Sequence, residues 1–486
     1  MTVAELLKGI QVVSTVGNTN IEVGNFTSDS RTVSDGDTFI AVKGVHVDGH
    51  AYIDKAISQG AKCVILEQMP NELVQGVTYI QLSNTLASVG LLASALHGDP
   101  SKTMKVVGVT GTNGKTTIAT LLYKVFKESG HKVGLLSTVC NYIDDEVIPA
   151  THTTPDPIEL QALLYKMKQA GCEYVFMEVS SHAADQCRIA GIDFDGAVFT
   201  NLTRDHLDYH KTVDNYIAAK KKFFDSLKSE AFALVNDDDK KGRVMLQNCK
   251  ASHYFYALKN PADFKGKVLE LHPDSTEIEV NGLELSLQLV GGFNVYNALA
   301  VFGAATLLGM PKEEAARVLS MMRPVDGRFQ VIHSARKAYT AVVDYAHTPD
   351  ALVNVLTTIN NLCKGSGRVI CVVGAGGDRD AGKRPIMAKE AVAKSDILIL
   401  TSDNPRSEDP NEIIRQMKEG LTEDDMSKTL CITDRKEAIR TACMMAQKGD
   451  FILVAGKGHE TYQEVKGVKN HFDDREVIKD FMKVEK

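Results

Sequence analysis

The sequence has no excess of basic charge: Lys and Arg number 55 against 62 Asp and Glu, a formal net of −7. That balance argues against a nucleic-acid partner, which would call for a basic surface to meet phosphates. Its nine cysteines, an odd number, include no C-x-x-C pair. In so long a chain this favours reduced thiols over a disulfide scaffold or a zinc cage, and a cytoplasmic location is expected. An apolar signal core is missing as well, since Met1–Asn20 mixes Glu5, Lys8 and other polar residues. The longest mostly apolar stretch, Val295–Met310, contains Tyr296 and Asn297 and is too short to span a bilayer, so no membrane insertion is expected. Low-complexity tracts and repeats of fixed period are also absent.

What is present is length and alternation. The 486 residues suggest about three domains at about 100–200 residues each, and 44% apolar content allows sizeable cores. Thr38–Val42 reads as a strand, His50–Gln59 as a helix closed by Gly60, and Cys63–Glu67 as the next strand. Ala95–Lys105, with Gly98, Asp99 and Pro100, has linker character. Asn297–Leu308 and Lys312–Met321 read as helices, ended by Arg323-Pro324 and Gly327-Arg328. Strand and helix then alternate through Ala341–Asp344, Asp350–Ile359, Arg368–Val373, Ile397–Leu400 and Phe451–Val454, which predicts a separate doubly wound sheet. The expected fold is α/β with domains at 1–104, 105–330 and 331–486. Ligand groups should lie just past the carboxyl ends of strands.

The strongest chemical signal is Gly111-Thr112-Asn113-Gly114-Lys115-Thr116-Thr117, after the β-rich run Lys105–Val109 and opening a helix. Glycines let backbone N–H groups curl around phosphate oxygens, and the helix N-terminus adds partial positive charge. Lys115 can reach the β- and γ-phosphates, and the Thr116 hydroxyl suits Mg²⁺. The strict G-x-x-x-x-G-K-[ST] spacing is not met, because Val109 takes the first glycine position. The plainer alternative is a glycine-rich turn with an incidental lysine.

A P-loop specifies a nucleotide but not a reaction. Glu178 ends the apolar run Tyr174–Met177, where a second Mg²⁺ ligand would be needed, although such a residue alone is more often a cap. After the strand Gly196–Phe199 comes Thr200-Asn201-Leu202-Thr203-Arg204-Asp205-His206-Leu207-Asp208-Tyr209-His210, a composition poor for packing and good for ligand work.

These segments, with Tyr216-Ile217-Ala218-Ala219-Lys220, resemble the Mur ligases, which build the peptide stem of peptidoglycan. Gly292-Phe293-Asn294-Val295-Tyr296-Asn297, Gly327-Arg328 and Asp344-Tyr345-Ala346-His347-Thr348-Pro349 extend the likeness over nearly the whole chain. Asp403-Asn404-Pro405-Arg406 and Gly456-Lys457-Gly458-His459-Glu460 point to a member that adds meso-2,6-diaminopimelate to UDP-N-acetylmuramoyl-L-alanyl-D-glutamate.

The resemblance implies a small UDP-binding domain, a central ATP-binding P-loop domain and a Rossmann-like domain for the amino acid. ATP would meet Gly111–Thr117, Asn294, Arg328 and Asp344. Ser30, in Ser28-Asp29-Ser30-Arg31, would contact UDP, and Thr153, Thr154, Ser180, Gln186 and Arg188 the muramoyl dipeptide. One departure is His152, where relatives often carry Asn. Diaminopimelate would lie on Arg379, Asp403, Asn404, Pro405, Arg406, Gly456 and Glu460. Two Mg²⁺ sites are implied, with Thr116, Glu178, His206 and a carbamate of Lys220, formed from CO₂, as ligands. Lys115, Lys220 and His206 would be the catalytic group.

The implied reaction activates a carboxylate as an acyl phosphate, which an amine then attacks. Both partners of the first step are anions, so charge neutralisation and in-line positioning must dominate. An amine is a poor Mg²⁺ ligand, whereas its carbamate is a carboxylate on a long arm; forming it requires an unprotonated Lys220. The simpler reading of Lys220-Lys221-Lys222 is a solvated basic helix face. Arg406 offers a planar fork to the distal carboxylate that lysine lacks. A monomer is expected. The alternatives are a folylpolyglutamate synthetase-like ligase, the L-lysine-adding variant of the same enzyme, and an ATP-hydrolysing P-loop switch.

Overall fold

The computed structural model describes residues 1–44, 47–150, 152–272, 274–334 and 338–484. Among the described residues three large sheets follow one another along the chain, with five, eleven and six strands, and a two-stranded sheet of Tyr462–Val465 and Val468–His471 follows them. The first orders its strands Val12–Val16, Thr78–Leu82, Cys63–Leu66, Thr38–Ile40 and Phe26–Thr27, parallel except where the first pairs with the second.

At the heart of the second sheet six parallel strands lie side by side: Ser252–Ala257, Phe232–Asn236, Gly196–Phe199, Lys105–Thr110, Tyr174–Glu178 and Val133–Leu136. Val106, Val107, Val109, Val175, Phe176, Ala197 and Val198 are wholly buried. Such unbroken apolar runs belong to strands covered by helices on both faces. Lys105–Thr110 sits centrally, between Tyr174–Glu178 and Gly196–Phe199. The loops leaving these three neighbours therefore converge at one edge, the switch point of the sheet.

The third sheet orders Gln330–His333, Thr340–Asp344, Phe451–Ala455, Val369–Val373, Ile397–Leu400 and Thr429–Cys431, parallel but for the first strand. Arg368 and Asp450, just ahead of two adjacent strands, form an ion pair at 2.7 Å, and the same carboxylate accepts the backbone N–H of Arg368 and of Gln447. That clamp fixes where both strands begin.

The segment expected to link the first two domains is structured, and one helix start needs correction. Ala95–Lys105 is a packed turn: the helix Thr85–Leu96 ends, Asp99 turns left-handed, and the 3₁₀ segment Pro100–Thr103 buries Pro100 and Ser101. Ser94 Oγ donates to the Gly191 carbonyl at 3.0 Å, joining this segment to the central layer. The helix expected from Asn297 begins at Gly292 and runs to Leu307. Gly291-Gly292 reads as a turn in sequence, but Gly291, at φ +99°, supplies the sharp entry into the helix.

Candidate active site

The P-loop leaves Lys105–Thr110 and enters the helix Lys115–Glu128. Its glycines answer to sterics. A Cβ on Gly111 would stand 1.8 Å from Thr200 Oγ1, and one on Gly114, at φ +91°, would meet Asn297 Oδ1 at 2.6 Å. Neighbouring strand ends hold the loop: Asn113 N–H donates to Asn201 Oδ1 at 3.0 Å, and Thr200 Oγ1 donates to the Asn113 carbonyl at 2.6 Å. Lys115 folds back, donating to the carbonyls of Gly111 at 3.0 Å and Thr112 at 2.9 Å. Burial lowers its pKa, with Glu178 and Asp205 pulling the other way. Thr112–Thr117, Thr138, Thr153, Glu178, His206 and Arg328 share the wall of a cavity of about 780 Å³.

Lys220 is separated from its neighbours by helix register. The helix Val213–Asp225 buries Tyr216, Ile217, Ala219, Lys220, Phe223 and Phe224 on one face. Lys221 pairs with Asp225 and Lys222 with Asp185, whereas Lys220 is 1% exposed and donates to the Gly111 carbonyl at 2.8 Å. Burial drives its pKa well below the ordinary lysine value, the nearby Lys115 adds to that, and Asp205 opposes it. The two lysines thus share one acceptor, Gly111 O. Glu178 is buried, with Oε1 accepting the Thr138 N–H at 2.8 Å. His206 adopts a left-handed backbone, and burial lowers its pKa against the pull of Asp205, 3.4 Å away.

The third layer reaches over this wall. Arg328 donates to Thr116 Oγ1 at 2.9 Å and stacks 4.5 Å over the Tyr345 ring. Asp344, at a strand end, accepts the Phe329 N–H at 2.7 Å; burial raises its pKa and Arg328 pulls it back. Asn113 Nδ2 donates to Asp350 Oδ2 at 3.2 Å. Asn297 lines the cavity, and Asn294 stands behind it, accepting from Asn297 Nδ2 and donating to the Val290 carbonyl.

The residues expected to hold the dipeptide form a chain of contacts. Thr138 donates to Thr153 Oγ1 at 3.0 Å, and Thr154 donates to the Glu178 carbonyl at 2.9 Å. Ser180 caps the helix Ser181–Asp185. Arg188 donates to Gln186 Oε1 and to the Thr154 carbonyl, both neutral oxygens. Gln186 in turn donates to Tyr209 Oη at 3.1 Å. Ser30 lies apart, buried in the first layer, in a turn where Asp29 accepts the Arg31 N–H.

A second cluster gathers at the carboxyl ends of the third sheet. Asn404 Nδ2 donates to Glu460 Oε2 at 2.7 Å, and Asp403 Oδ1 accepts the Asn404 N–H at 2.6 Å. Gly456 leaves room for Asp403, whose Oδ2 would lie 2.3 Å from an added Cβ. Arg406, at φ +51°, donates to the Gly377 carbonyl at 2.7 Å, with Glu464 Oε2 3.7 Å from its Nε. Pro405 packs its carbonyl on Gly377, where a Cβ would come within 1.9 Å. The run Gly374–Gly377 therefore serves close packing of the Asp403–Arg406 loop rather than a dinucleotide. Arg379 is exposed on the neighbouring loop.

Several participants escaped sequence reasoning. Lys383 Nζ lies 3.5 Å from Asp205 Oδ1, joining the second and third layers. Arg435 and Asp474 form a wholly buried pair at 2.7 Å, and Arg435 also donates to the carbonyls of Ser402 and Ala455. It thereby ties together the two strand ends that carry Asp403 and Gly456. Lys457, inside a recognised motif, donates to both Asn404 and Glu460. Only the position of Lys457 within that motif carried a signal in the sequence.

Comparison with known proteins agrees with this geometry. Residues 22–92 match the profile of the Mur ligase family, catalytic domain, 109–305 the Mur ligase middle domain, and 327–458 the Mur ligase, glutamate ligase domain. The UDP-N-acetylmuramoyl-L-alanyl-D-glutamate–2,6-diaminopimelate ligase of Parabacteroides distasonis is 58% identical over 480 residues, 99% of each chain. That of Bacteroides fragilis is also 58% identical over 99% of each chain. A solved structure of an enzyme with the same name aligns at TM-score 0.70 and 33% identity, over 100% of this chain and 99% of that one. With three profiles spanning its layers and full-length relatives of such identity, the chain belongs to the Mur ligase family of ATP-dependent, amide-bond-forming ligases.

Proposed function

We propose that this protein adds meso-2,6-diaminopimelate to UDP-N-acetylmuramoyl-L-alanyl-D-glutamate at the expense of ATP, in peptidoglycan precursor synthesis. The observation that carries the reading is that Glu178 ends the strand beside the P-loop strand while buried Lys220 bonds the P-loop carbonyl of Gly111, in a chain matched end to end by ligases of that name. On this reading residues 1–104 hold the UDP end, with Ser30, residues 105–330 hold ATP and the dipeptide, and residues 331–486 hold the amino acid. Thr153, Thr154, Ser180, Gln186 and Arg188 line the dipeptide arm. The protein acts as a monomer in the cytoplasm; among the described residues no helix is long and apolar enough to cross a membrane.

Lys115 leaves its own loop carbonyls for the β- and γ-phosphates when ATP enters, and the N–H groups opening the helix Lys115–Glu128 face the same oxygens. The substrate carboxylate attacks the γ-phosphorus to give an acyl phosphate and ADP. The acceptor amine then attacks the activated carbonyl carbon, loses a proton, and inorganic phosphate leaves. The Thr116 hydroxyl, the Glu178 carboxylate, neutral His206 and Lys220 as a carbamate would be the residues that hold two Mg²⁺ ions, which prefer oxygen ligands. The neutral Lys220 amine that burial favours is the form that CO₂ adds to. When bound, the ions neutralise the repulsion between carboxylate and triphosphate. Arg328 and Asp344 close over the nucleotide, and Asn294 orients Asn297.

Arg406 is set to bind the distal carboxylate, Asp403 and Glu460 an ammonium, and Arg379 the other carboxylate, with Pro405 and Gly456 shaping the pocket. The test is ADP-forming phosphate release against a panel of acceptor amino acids. Release should require the UDP-muramoyl dipeptide and be fastest with meso-diaminopimelate. Release without the dipeptide would favour a nucleotide switch, and preference for lysine would overturn the acceptor.

A further inference from the structure

The motif that ends in Glu460 contains a lysine, Lys457, that the proposed chemistry leaves without a role. Lys457 is 0% exposed. A lone ammonium would be costly at that depth, so its partners define what it does. Its Nζ donates to Asn404 Oδ1 at 3.1 Å and to Glu460 Oε2 at 3.0 Å, and it stands 5.4 Å from the centre of the Tyr462 ring. The Asn404 amide has no freedom left. Its oxygen faces two donors, Lys457 Nζ and the Glu464 N–H at 2.9 Å, and its nitrogen donates to Glu460 Oε2. Lys457 and Asn404 thus converge on one oxygen of Glu460, which turns the other away from both.

Charge points the same way. Asp403 and Glu460 place two carboxylates in the pocket, and burial together with the Asp403 charge raises the pKa of Glu460. The other charged groups around them are paired among themselves: Arg435 with Asp474 behind the strand ends, and Arg406 beside Glu464 in front. Lys457 is the one cation that bonds Glu460 directly among the described residues.

We propose that Lys457 is a positioning residue of the acceptor pocket. It locks the Asn404 amide and the Glu460 carboxylate in one arrangement and cancels one of two negative charges, so that the pocket takes a single substrate ammonium. This inference rests on the reading of Asn404 and Glu460 as acceptor-binding residues. Without Lys457, and with Glu460 ionised, the pocket is more negative by one charge. Lysine, with a net positive charge, then gains on diaminopimelate, which is net neutral.

The experiment compares Lys457→Met, Lys457→Arg, Glu460→Gln and the Lys457→Met/Glu460→Gln double variant in the full-length enzyme. Lys457→Met should raise KM for the acceptor by at least about ten-fold, because the Asn404 amide and Glu460 carboxylate are no longer held in one arrangement, while KM for ATP stays within about two-fold. The ratio of kcat/KM for diaminopimelate over lysine should fall, Lys457→Arg should restore part of it, and the double variant should be no worse than Glu460→Gln alone. An unchanged ratio, equal damage to ATP and acceptor use, or additive losses in the double variant would overturn the proposal. If Lys457→Met fails to fold, Lys457→Gln, which keeps a donor for Asn404 without the charge, carries the same comparison. Should the wild type use another acceptor, the diaminopimelate assignment falls, and KM for that acceptor tests Lys457 independently.

Discussion

Arg328 donates to Thr116 Oγ1 at 2.9 Å, so a residue at the entry to the third layer holds the hydroxyl that opens the P-loop helix. The contact spans 212 positions of chain, and the same guanidinium lies over the Tyr345 ring. An ammonium cannot reproduce both a directed fork and a planar stack. Arg328→Lys should therefore behave much like Arg328→Ala, each raising KM for ATP by about ten-fold, in line with a lost charge-assisted bond. Steady-state kinetics with ATP varied measures this, and a fully active lysine variant would contradict the assigned role.

Lys115→Ala should abolish ATP turnover while the fold survives. Among the described residues Lys115 bonds only carbonyls of its own loop, so its loss removes no bond between elements. Circular dichroism and the unfolding midpoint should stay near wild type. Near-normal ligation would remove the P-loop from the mechanism.

Lys220→Ala should lose most activity, and a short carboxylic acid in the assay should restore part of it by standing in for the carbamate. The apolar face of its helix, Tyr216, Ile217, Phe223 and Phe224, remains to hold the backbone in place. Mass spectrometry under CO₂ should detect the added carboxylate on the wild type. A bare amine in a fully active, metal-loaded enzyme would refute the carbamate.

How far the sequence discloses these features depends on the range of the interaction. The strands Gly196–Phe199 and Ile397–Leu400 lie at the positions expected from their apolar runs, because a strand buried on both faces leaves a local signature. Glu178 and Lys115 were legible because a strand end and a helix start are local features. Whether Lys220, Lys221 or Lys222 is buried was legible only through likeness to a family, since all three occupy one helix and only packing decides. Lys383 beside Asp205, and Arg435 behind two strand ends, arise from contacts between distant segments. No local pattern in the sequence marks such pairs.

Asp450 provides a pH test of the third layer. Burial alone would raise its pKa, but the hydrogen bonds from Arg368 prevail and hold it below the ordinary value of 3.8. A depressed folded pKa gives stability that is present above the unfolded value and lost as pH falls through the folded one. Asp450→Asn should cost about 1–3 kcal/mol at neutral pH, as expected for a broken buried bond network. The gap to wild type should narrow as pH falls through the lowered folded-state value, where the carboxyl becomes neutral. Urea unfolding at several pH values measures it, and a pH-independent gap would assign the loss to packing.

Arg406 gives the sharpest test of what the enzyme joins. Its guanidinium is held by the Gly377 carbonyl and flanked by Glu464, on a left-handed backbone that fixes where it points. If it pairs with the distal carboxylate of diaminopimelate, Arg406→Ala removes a charge-assisted bond worth about 2–5 kcal/mol, a loss of roughly 30- to several-thousand-fold. KM for ATP should barely move, because the nucleotide cavity is lined by other residues. Lysine should be a poor substrate of the wild type, since it leaves Arg406 facing only Glu464 and a backbone carbonyl. Removing Arg406 should then narrow the preference, by harming diaminopimelate rather than by helping lysine. The quantity to measure is the ratio of kcat/KM for the two amino acids before and after substitution. An unchanged ratio, or a wild type that already prefers lysine, would overturn the acceptor assignment and leave the ligase chemistry standing.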